Sequence, residues 1–226
     1  MGPLSWRAAK IFLAAGTPIQ RLISGRGDTH IFCVQQALEI LKNDGFFNQH
    51  ALLTKHQEFL FRGVRWADKG WKNFSHYYDP QTGTGIKPWP DARLECKAFF
   101  KMALSNWQNS NRNKAFFFLG ASAHIMQDLC VPHHSTCAAF SGHQTYENWV
   151  SANLQDFSVF SEGIYKDFSD PDEWINYNAK ISRDYFPYVA GFSSQSSYKM
   201  VTGKLLPLAQ RTTAGFFSYF LNCVKA

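Results

Sequence analysis

Residues 116–128, running Phe-Phe-Phe-Leu-Gly-Ala-Ser-Ala-His-Ile-Met-Gln-Asp, constrain the fold of this chain more than any other stretch. A helix this apolar needs other elements packed around it. It nonetheless carries His124 and Asp128. Four residues is about one helical turn, so both side chains project from one face. An unpaired aspartate among so many apolar neighbours is costly, so the pair needs partners from elsewhere in the chain.

The remaining periodicity is helical almost throughout. Residues 30–43 place Phe32, Ala37, Leu38 and Leu41 on one stripe, which Asn43-Asp44-Gly45 ends. A second helix is expected over 54–68, with Phe59, Leu60, Gly63, Val64 and Ala67 at i, i+3, i+4 spacing. A turn-rich segment follows at 78–90, and further helices are expected at 91–109, 113–130, 143–154, 171–186 and 202–222. Pro171 before Asp172 and Glu173 opens a helix, with proline in the first turn and acids at the positive end of the dipole. No alternating strand run, repeat or low-complexity tract stands out. The expectation is an all-α chain, a single compact multi-helix bundle domain spanning 1–226.

At 226 residues and 45% hydrophobic, the chain is long and apolar enough for a sizeable core, and its 16% aromatic content excludes disorder. The formal charge is +6, but it is scattered. Residues 1–72 carry ten basic and five acidic groups, 141–184 three and eight, and 185–226 four and none. No basic run exceeds two residues, so the dense block expected of a nucleic-acid binder is missing, and nucleic acid is not an expected partner. No window approaches the ~18–20 apolar residues of a membrane span. The apolar stretch at 11–16 falls short of the ~7–15 residues of a signal peptide core. The five cysteines, at 33, 96, 130, 137 and 223, follow no zinc-finger or redox spacing and read as buried or free thiols.

Eight histidines remain to be placed. Beside His124 and Asp128, a second i, i+4 pair is formed by His143 and Glu147, and Val131-Pro132 must end the preceding helix just before His133-His134. Asp68 closes a helix, with His76 eight residues on in a loop. One such pair alone is usually a solvated surface ion pair. Two pairs joined by a Pro-His-His junction are harder to dismiss. Imidazole with carboxylate suits zinc better than calcium or magnesium, and the number of groups exceeds one tetrahedral site. A multinuclear cluster is the natural reading. His50, His56 and His133 fit no spacing and read as ordinary surface or core histidines.

These residues resemble the zinc-dependent phospholipase C family of bacteria. The matching stretches are Thr29-His30, Trp66-Ala67-Asp68, Phe74-Ser75-His76-Tyr77-Tyr78-Asp79-Pro80, 115–120 onward to His134, 143–149, Thr202-Gly203-Lys204 and Ala209-Gln210-Arg211. The resemblance implies a helical bundle around a trinuclear zinc cleft. By that pattern one zinc is held by Asp68, His76, His124 and Asp128, and a second by His134, His143 and Glu147. The third is held by His30, a second oxygen of Asp128 and the N-terminal amine and carbonyl, here Met1. It further implies hydrolysis of glycerophospholipids to diacylglycerol and a phosphorylated headgroup, with Asp68 as candidate general base. The implied setting is extracellular or at the cell surface, on a monomer that meets its phospholipid peripherally.

Two departures bear on these expectations. The family's metal-binding N-terminus lies roughly a dozen residues before the first histidine, whereas Met1 lies twenty-nine before His30. Where choline-selective members place aromatics, this chain has Lys69 and Asn73, and a lysine repels quaternary ammonium. A weak choline preference and broader or anionic headgroups follow. The chain also ends just after the Ala209-Gln210-Arg211 helix, so interfacial contact is expected from the catalytic domain itself. Trp71, Trp89 and Phe47 are the candidates, against a default of core packing. Two rivals stand beside this reading: a zinc nuclease acting on single strands, and a non-catalytic zinc-containing module that binds membranes.

Overall fold

A computed structural model describes residues 28–69, 71–191 and 193–225. Among these, nine α-helices and three 3-10 segments are joined by loops, and no strand forms beyond an isolated bridge between Asp79 and Thr84. The helices are α1 Asp28–Asn43, α2 Phe47–Lys55, α3 Gln57–Ala67, α4 Ala92–Gln108, α5 Arg112–Asp128, α6 Pro132–Ser135, α7 His143–Ala152, α8 Pro171–Ser182 and α9 Gln195–Cys223. The 3-10 segments are Trp71–Ser75, Leu154–Phe157 and Arg183–Tyr188.

Helix α5 is the axis of the molecule. From Leu119 to Asp128 every one of its residues is buried, as its composition demands. Helices α3 and α4 cover it most extensively, while α9 and α1 pack together on another side. The approach of α3 to α5 depends on two glycines. A Cβ on Gly63 would overlap the Phe117 carbonyl oxygen, and one on Gly120 would overlap that of Leu60. Only the absent side chains allow backbones this close, and the contact brings the end of α3, with Asp68, against His124.

Polar caps set several helix starts. Asp91 accepts from the backbone N–H groups of Arg93 and Leu94 ahead of α4, and Asn111 accepts from Lys114 ahead of α5. Asp170 accepts from Asp172 N as α8 opens at Pro171, and Ser194 accepts from Ser197 N ahead of α9.

The expected helices differ from the observed ones at α2, α6, the end of α8 and the start of α9: the Pro-His-His junction forms the short α6, and the helix expected over 171–186 gives way to a 3-10 segment after Ser182. Helix α2 was not anticipated, because Leu53 is its only fully buried residue and its sequence shows little amphipathic signal. His56, outside the helical region at φ −113°, separates it from α3. Helix α9 begins seven residues before the expected 202, because its opening Gln195-Ser196-Ser197 is polar and Ser194 caps it. The stripes themselves hold: Phe32, Ala37, Leu38, Leu41, Leu60, Gly63, Val64 and Ala67 are all buried, with Phe59 packed at the edge.

The five cysteines are free thiols. Burial pushes Cys33 and Cys96 up to about 12, so neither is a ready nucleophile. No helix among the described residues is long and apolar enough to cross a membrane.

Candidate metal centre

Six separate segments bring the eight side chains to one end of the bundle. Helix α1 begins there with His30, α3 delivers Asp68 as its C-cap, and the loop beyond Ser75 supplies His76. Helix α5 ends there with His124 and Asp128, and α6 and α7 add His134, His143 and Glu147. All eight line or border one cavity of ≈ 650 Å³, and only His124 lies wholly beneath its floor.

The ligand-type atoms fall into groups whose members lie within 4.8 Å of one another: His30, Asp68 and His124; His76, His124 and Asp128; and His134, His143 and Glu147. His124 Nε2 stands 3.1 Å from Asp68 Oδ1 and 3.2 Å from Asp128 Oδ2. His30 Nε2 stands 3.3 Å from Asp128 Oδ1, so the two oxygens of Asp128 face different histidines. His76 Nδ1 is 2.7 Å from Asp128 Oδ2 and 3.8 Å from Asp68 Oδ1. In the other cluster Glu147 Oε1 is 2.7 Å from His143 Nε2 and 3.6 Å from His134 Nε2. His30 also stacks on His124, with ring centroids 3.9 Å apart. It therefore sits nearer the first cluster than a ligand of Asp128 alone would require.

These groups pass a test for zinc on their own geometry. His124 Nε2, Asp128 Oδ2 and His134 Nε2 are buried without a hydrogen bond, although each faces other ligand-type atoms. Around a tetrahedral ion with bonds of about 2.0–2.1 Å, neighbouring donor atoms lie about 3.3 Å apart. The 3.1, 3.2 and 3.3 Å separations are close to that edge, whereas His76–Asp128 and His143–Glu147, both at 2.7 Å, are tighter than it.

Neighbours fix which ring nitrogen is available. His134 Nδ1 lies 3.0 Å from the His76 carbonyl oxygen, which only accepts, so Nδ1 carries the hydrogen and Nε2 is the free lone pair. His30 Nδ1 donates to Gln127 Oε1 at 2.9 Å. The same amide donates from Nε2 to Thr213 Oγ1 at 3.0 Å, which settles its orientation. Tyr77 stacks on His134 at 4.5 Å, and its hydroxyl lies 3.4 Å from His143 Nδ1. Gln127, Tyr77 and Thr213 are absent from the ligand pattern read in the sequence. A glutamine deep in an apolar helix beside Asp128 was the one signal that marked any of them.

The electrostatics agree with the geometry. Burial pushes the Asp128 carboxyl up, but His124, His134 and His30 together hold it well below the usual carboxylate range. Asp68 and Glu147 are likewise lowered against burial, the first by His124 and His76, the second by His143 and His134. Burial lowers His124, yet Asp68 and Asp128 raise it well above an ordinary imidazole, and Asp128 and Glu147 raise His134. His30 goes down, because burial and the His124 charge outweigh the two aspartates. The three carboxylates are thus anions in a place that favours positive charge between them.

The other assignments fall as follows. Asn73 lines the cavity, with its Oδ1 buried and unpartnered. Lys69 is exposed and is not among the lining residues. Met1 lies outside the described residues. His133 is a core histidine: it donates from Nε2 to Ser141 O at 3.0 Å, and burial together with His143 pushes it down to about 4. His56 stacks on Phe116 at 4.5 Å, and neither it nor His50 reaches the cleft. Of the three interfacial candidates, Phe47 is 67% exposed and Trp89 is half-buried against Phe74, while the Trp71 side chain lies outside the described part.

Residues 29–192, which include every side chain of the centre, match the family model described as zinc dependent phospholipase C. A phospholipase C of Bacillus cereus is 28% identical over 86% of this chain and 81% of its own length. One from Listeria monocytogenes is 24% identical over 85% and 76%. The solved alpha toxin of Clostridium absonum superposes with a TM-score of 0.78 at 23% identity, covering 88% of this chain and 65% of the toxin. The chain thus spans about two thirds of that toxin's length, and the likeness shows the fold. The converging imidazoles and carboxylates and the family match over most of the chain lead to one conclusion: the chain belongs to the zinc-dependent phospholipase C family of enzymes.

Proposed function

We propose that this enzyme hydrolyses the headgroup-side phosphodiester of glycerophospholipids, releasing diacylglycerol and a phosphorylated headgroup. The observation that carries the reading is a cavity whose lining holds both the ligand-type side chains and an apolar set. Its lining includes His30, Asp68, His76, Asp128, His134, His143 and Glu147, with His124 beneath them. It also includes Cys33, Cys130, Val150, Leu205, Leu206 and Ala209. A charged phosphate joined to a hydrocarbon body fits such a cleft, and a hydrophilic nucleic acid strand does not use its apolar wall.

The eight side chains would hold zinc, with three ions as the proposed number and the chain's N-terminal amine as a proposed further donor. Bound zinc supplies positive charge and Lewis acidity for a phosphodiester anion and acidifies water beside it. Asp128 is 4% exposed and faces histidines on both oxygens, so its role is to hold charge in place. Asp68 is 22% exposed and opens on the cavity, as Glu147 does at 23%, and Asp68 is the proposed acceptor of a proton from an attacking water. Its lowered pKa keeps it ionised for that task. Tyr77, pushed well above its ordinary value first by burial and then by Glu147, stays a neutral phenol that buttresses His134 and His143. Asn73 offers an amide to the headgroup, and the missing aromatics at Lys69 and Asn73 support a broad or anionic headgroup choice over strict choline selectivity. Action as a monomer at an extracellular or cell-surface bilayer belongs to the same reading, as does one domain over 1–226.

The test is metal content by mass spectrometry on the purified protein, followed by hydrolysis of phosphatidylcholine, phosphatidylserine, bis-p-nitrophenyl phosphate and single-stranded DNA. Zinc with hydrolysis of both lipids and little of the DNA is expected. Cleavage of DNA alone overturns the reading, and strong selectivity for phosphatidylcholine overturns the headgroup assignment.

A further inference from the structure

The largest exposed hydrophobic fraction in the described residues belongs to Phe140, at 89%. It stands on the loop between α6 and α7, three residues before His143. Three residues of chain reach at most about 10 Å, so the backbone that carries the ring adjoins the cleft at His143, which lines it. Tyr188, half exposed, is the last residue of the final 3-10 segment, and the neighbouring loop leads from it to α9.

The two loops are pinned to each other. Gly191 N donates to Ser141 O at 2.9 Å, and the same oxygen accepts from His133 Nε2. Gly142 sits at φ +84°, where a side chain is strained, and a Cβ there would overlap the Gly191 carbonyl oxygen. Ala138 N donates to His133 O at 2.9 Å on the other side of Phe140. The ring is therefore displayed by a fixed loop. Neither 136–142 nor 188–194 contains a charged residue. A charge-free, aromatic-tipped lip needs a reason, since large exposed apolar groups mark interaction sites.

We propose that Phe140 and Tyr188 form the face on which this enzyme docks to a phospholipid bilayer, lowering the cleft onto the lipid surface. The proposal rests on the phospholipase reading in one respect: a lipid substrate is drawn from a bilayer, so the docking face must adjoin the cleft mouth. The lip meets that condition. The second exposed aromatic group, Phe47, Phe160 and Tyr165, does not. Tyr165 and the Phe160 carbonyl are tied to Asp44 and Asn43, at the end of α1 away from His30. Thirteen helical residues between His30 and Asn43 put that group roughly 20 Å from the metal centre. Phe47, an interfacial candidate on sequence grounds, is thus displaced by Phe140.

The experiment uses the zinc-loaded enzyme with two substrates: a short-chain phosphatidylcholine kept monomeric, and large vesicles of phosphatidylcholine and phosphatidylserine. Phe140→Ser should slow vesicle hydrolysis about tenfold, about 1.4 kcal/mol of lost docking, and leave the monomeric rate unchanged. Tyr188→Ser should act in the same direction, and Phe47→Ser should change neither rate. Phe140→Trp should keep the vesicle rate and gain indole fluorescence, relative to wild type, that brominated-lipid vesicles quench. An unchanged vesicle rate in both serine variants overturns the proposal. So does an equal loss on both substrates, which makes the loop a support of the active site. A wild-type dimer that Phe140→Ser dissolves also overturns it, because the face then belongs to a second copy. If the wild type cleaves neither substrate, the phospholipase reading fails, and quenching of the indole introduced by Phe140→Trp still decides the docking face.

Discussion

Replacing Gln127 by leucine separates the ligand set from the residues that orient it. The side chain is 3% exposed and touches no substrate-sized space except at the cleft floor. Its Oε1 accepts from His30 Nδ1 and its Nε2 donates to Thr213 Oγ1. Leucine has nearly the same volume and makes neither bond. Thr213 still donates to Ala209 O, so it loses only an accepted bond. His30 keeps 17% of its side-chain surface exposed, so water recovers part of its loss. Two hydrogen bonds at about 1 kcal/mol each, offset by the buried leucine methyls, leave a net destabilisation of about 1 kcal/mol. For a chain of this size that lowers Tm by about 2–4 °C. The larger effect falls on metal. A histidine whose second nitrogen loses its partner costs about 10–100-fold in affinity, and here only the ion served by His30 should be affected. Zinc content measured by mass spectrometry across a chelator series should show one ion leaving early while the others, that of the His134–Glu147 cluster among them, stay. If Gln127→Leu releases all zinc at the same chelator concentration as wild type, the amide does not set the His30 tautomer and the reasoning fails.

Other outcomes follow from the same structure. Gly120→Ala forces a Cβ into the Leu60 carbonyl oxygen, and Gly63→Ala does the same at Phe117, so each should cost about 1–3 kcal/mol or more in thermal unfolding. Native Tm in either would show that α3 and α5 part easily. Asp44 accepts from Glu162 N, Gly163 N and Tyr165 OH at 2.9, 2.8 and 2.7 Å, and despite some burial these donors lower its pKa. A depressed folded pKa gives stability that is present above the unfolded carboxyl's ~3.9 and is lost as pH falls through the folded value. Asp44→Asn should therefore cost on the order of 1 kcal/mol at neutral pH, the site being solvent-screened, and progressively less below pH about 4. A penalty that stays constant in urea unfolding down to pH about 2 would contradict the assignment. Finally, Asp68→Asn should keep most of its zinc and lose at least about 100-fold in turnover, and full activity at full zinc content would remove Asp68 as the base.

Helices were readable from sequence where burial wrote a stripe, and not where it did not. Residues 59–67 and 30–41 announce their buried faces because those faces are apolar at helical spacing, and the structure buries them. Helix α2 has one fully buried side chain, so its helicity comes from local propensity and from α1 turning at Gly45, φ +87°. The start of α9 is similar: Ser194 fixes it by a cap, and a serine among serines carries little information until the Ser197 N–H is seen to point at it.

The convergence of the histidines and acids on one cleft was legible for a different reason. Zinc demands particular atoms, so the ligands must be histidines and acids whatever surrounds them, and i, i+4 pairs on helices leave a regular trace. What orients those ligands is under no such restriction. A His134 ring is fixed by the carbonyl of His76, an atom every residue possesses, and a His30 ring by an amide that could have been any acceptor of similar reach. The aromatic lip lies further still from sequence pattern, because Phe140 matters only through where Gly142 and Gly191 hold its loop. Chemistry that constrains identity can be read along the chain, whereas chemistry that constrains only position needs the fold. Functional residues of the second kind, Gln127, Tyr77 and Phe140 among them, are therefore the ones whose substitution tells most about how this cleft works.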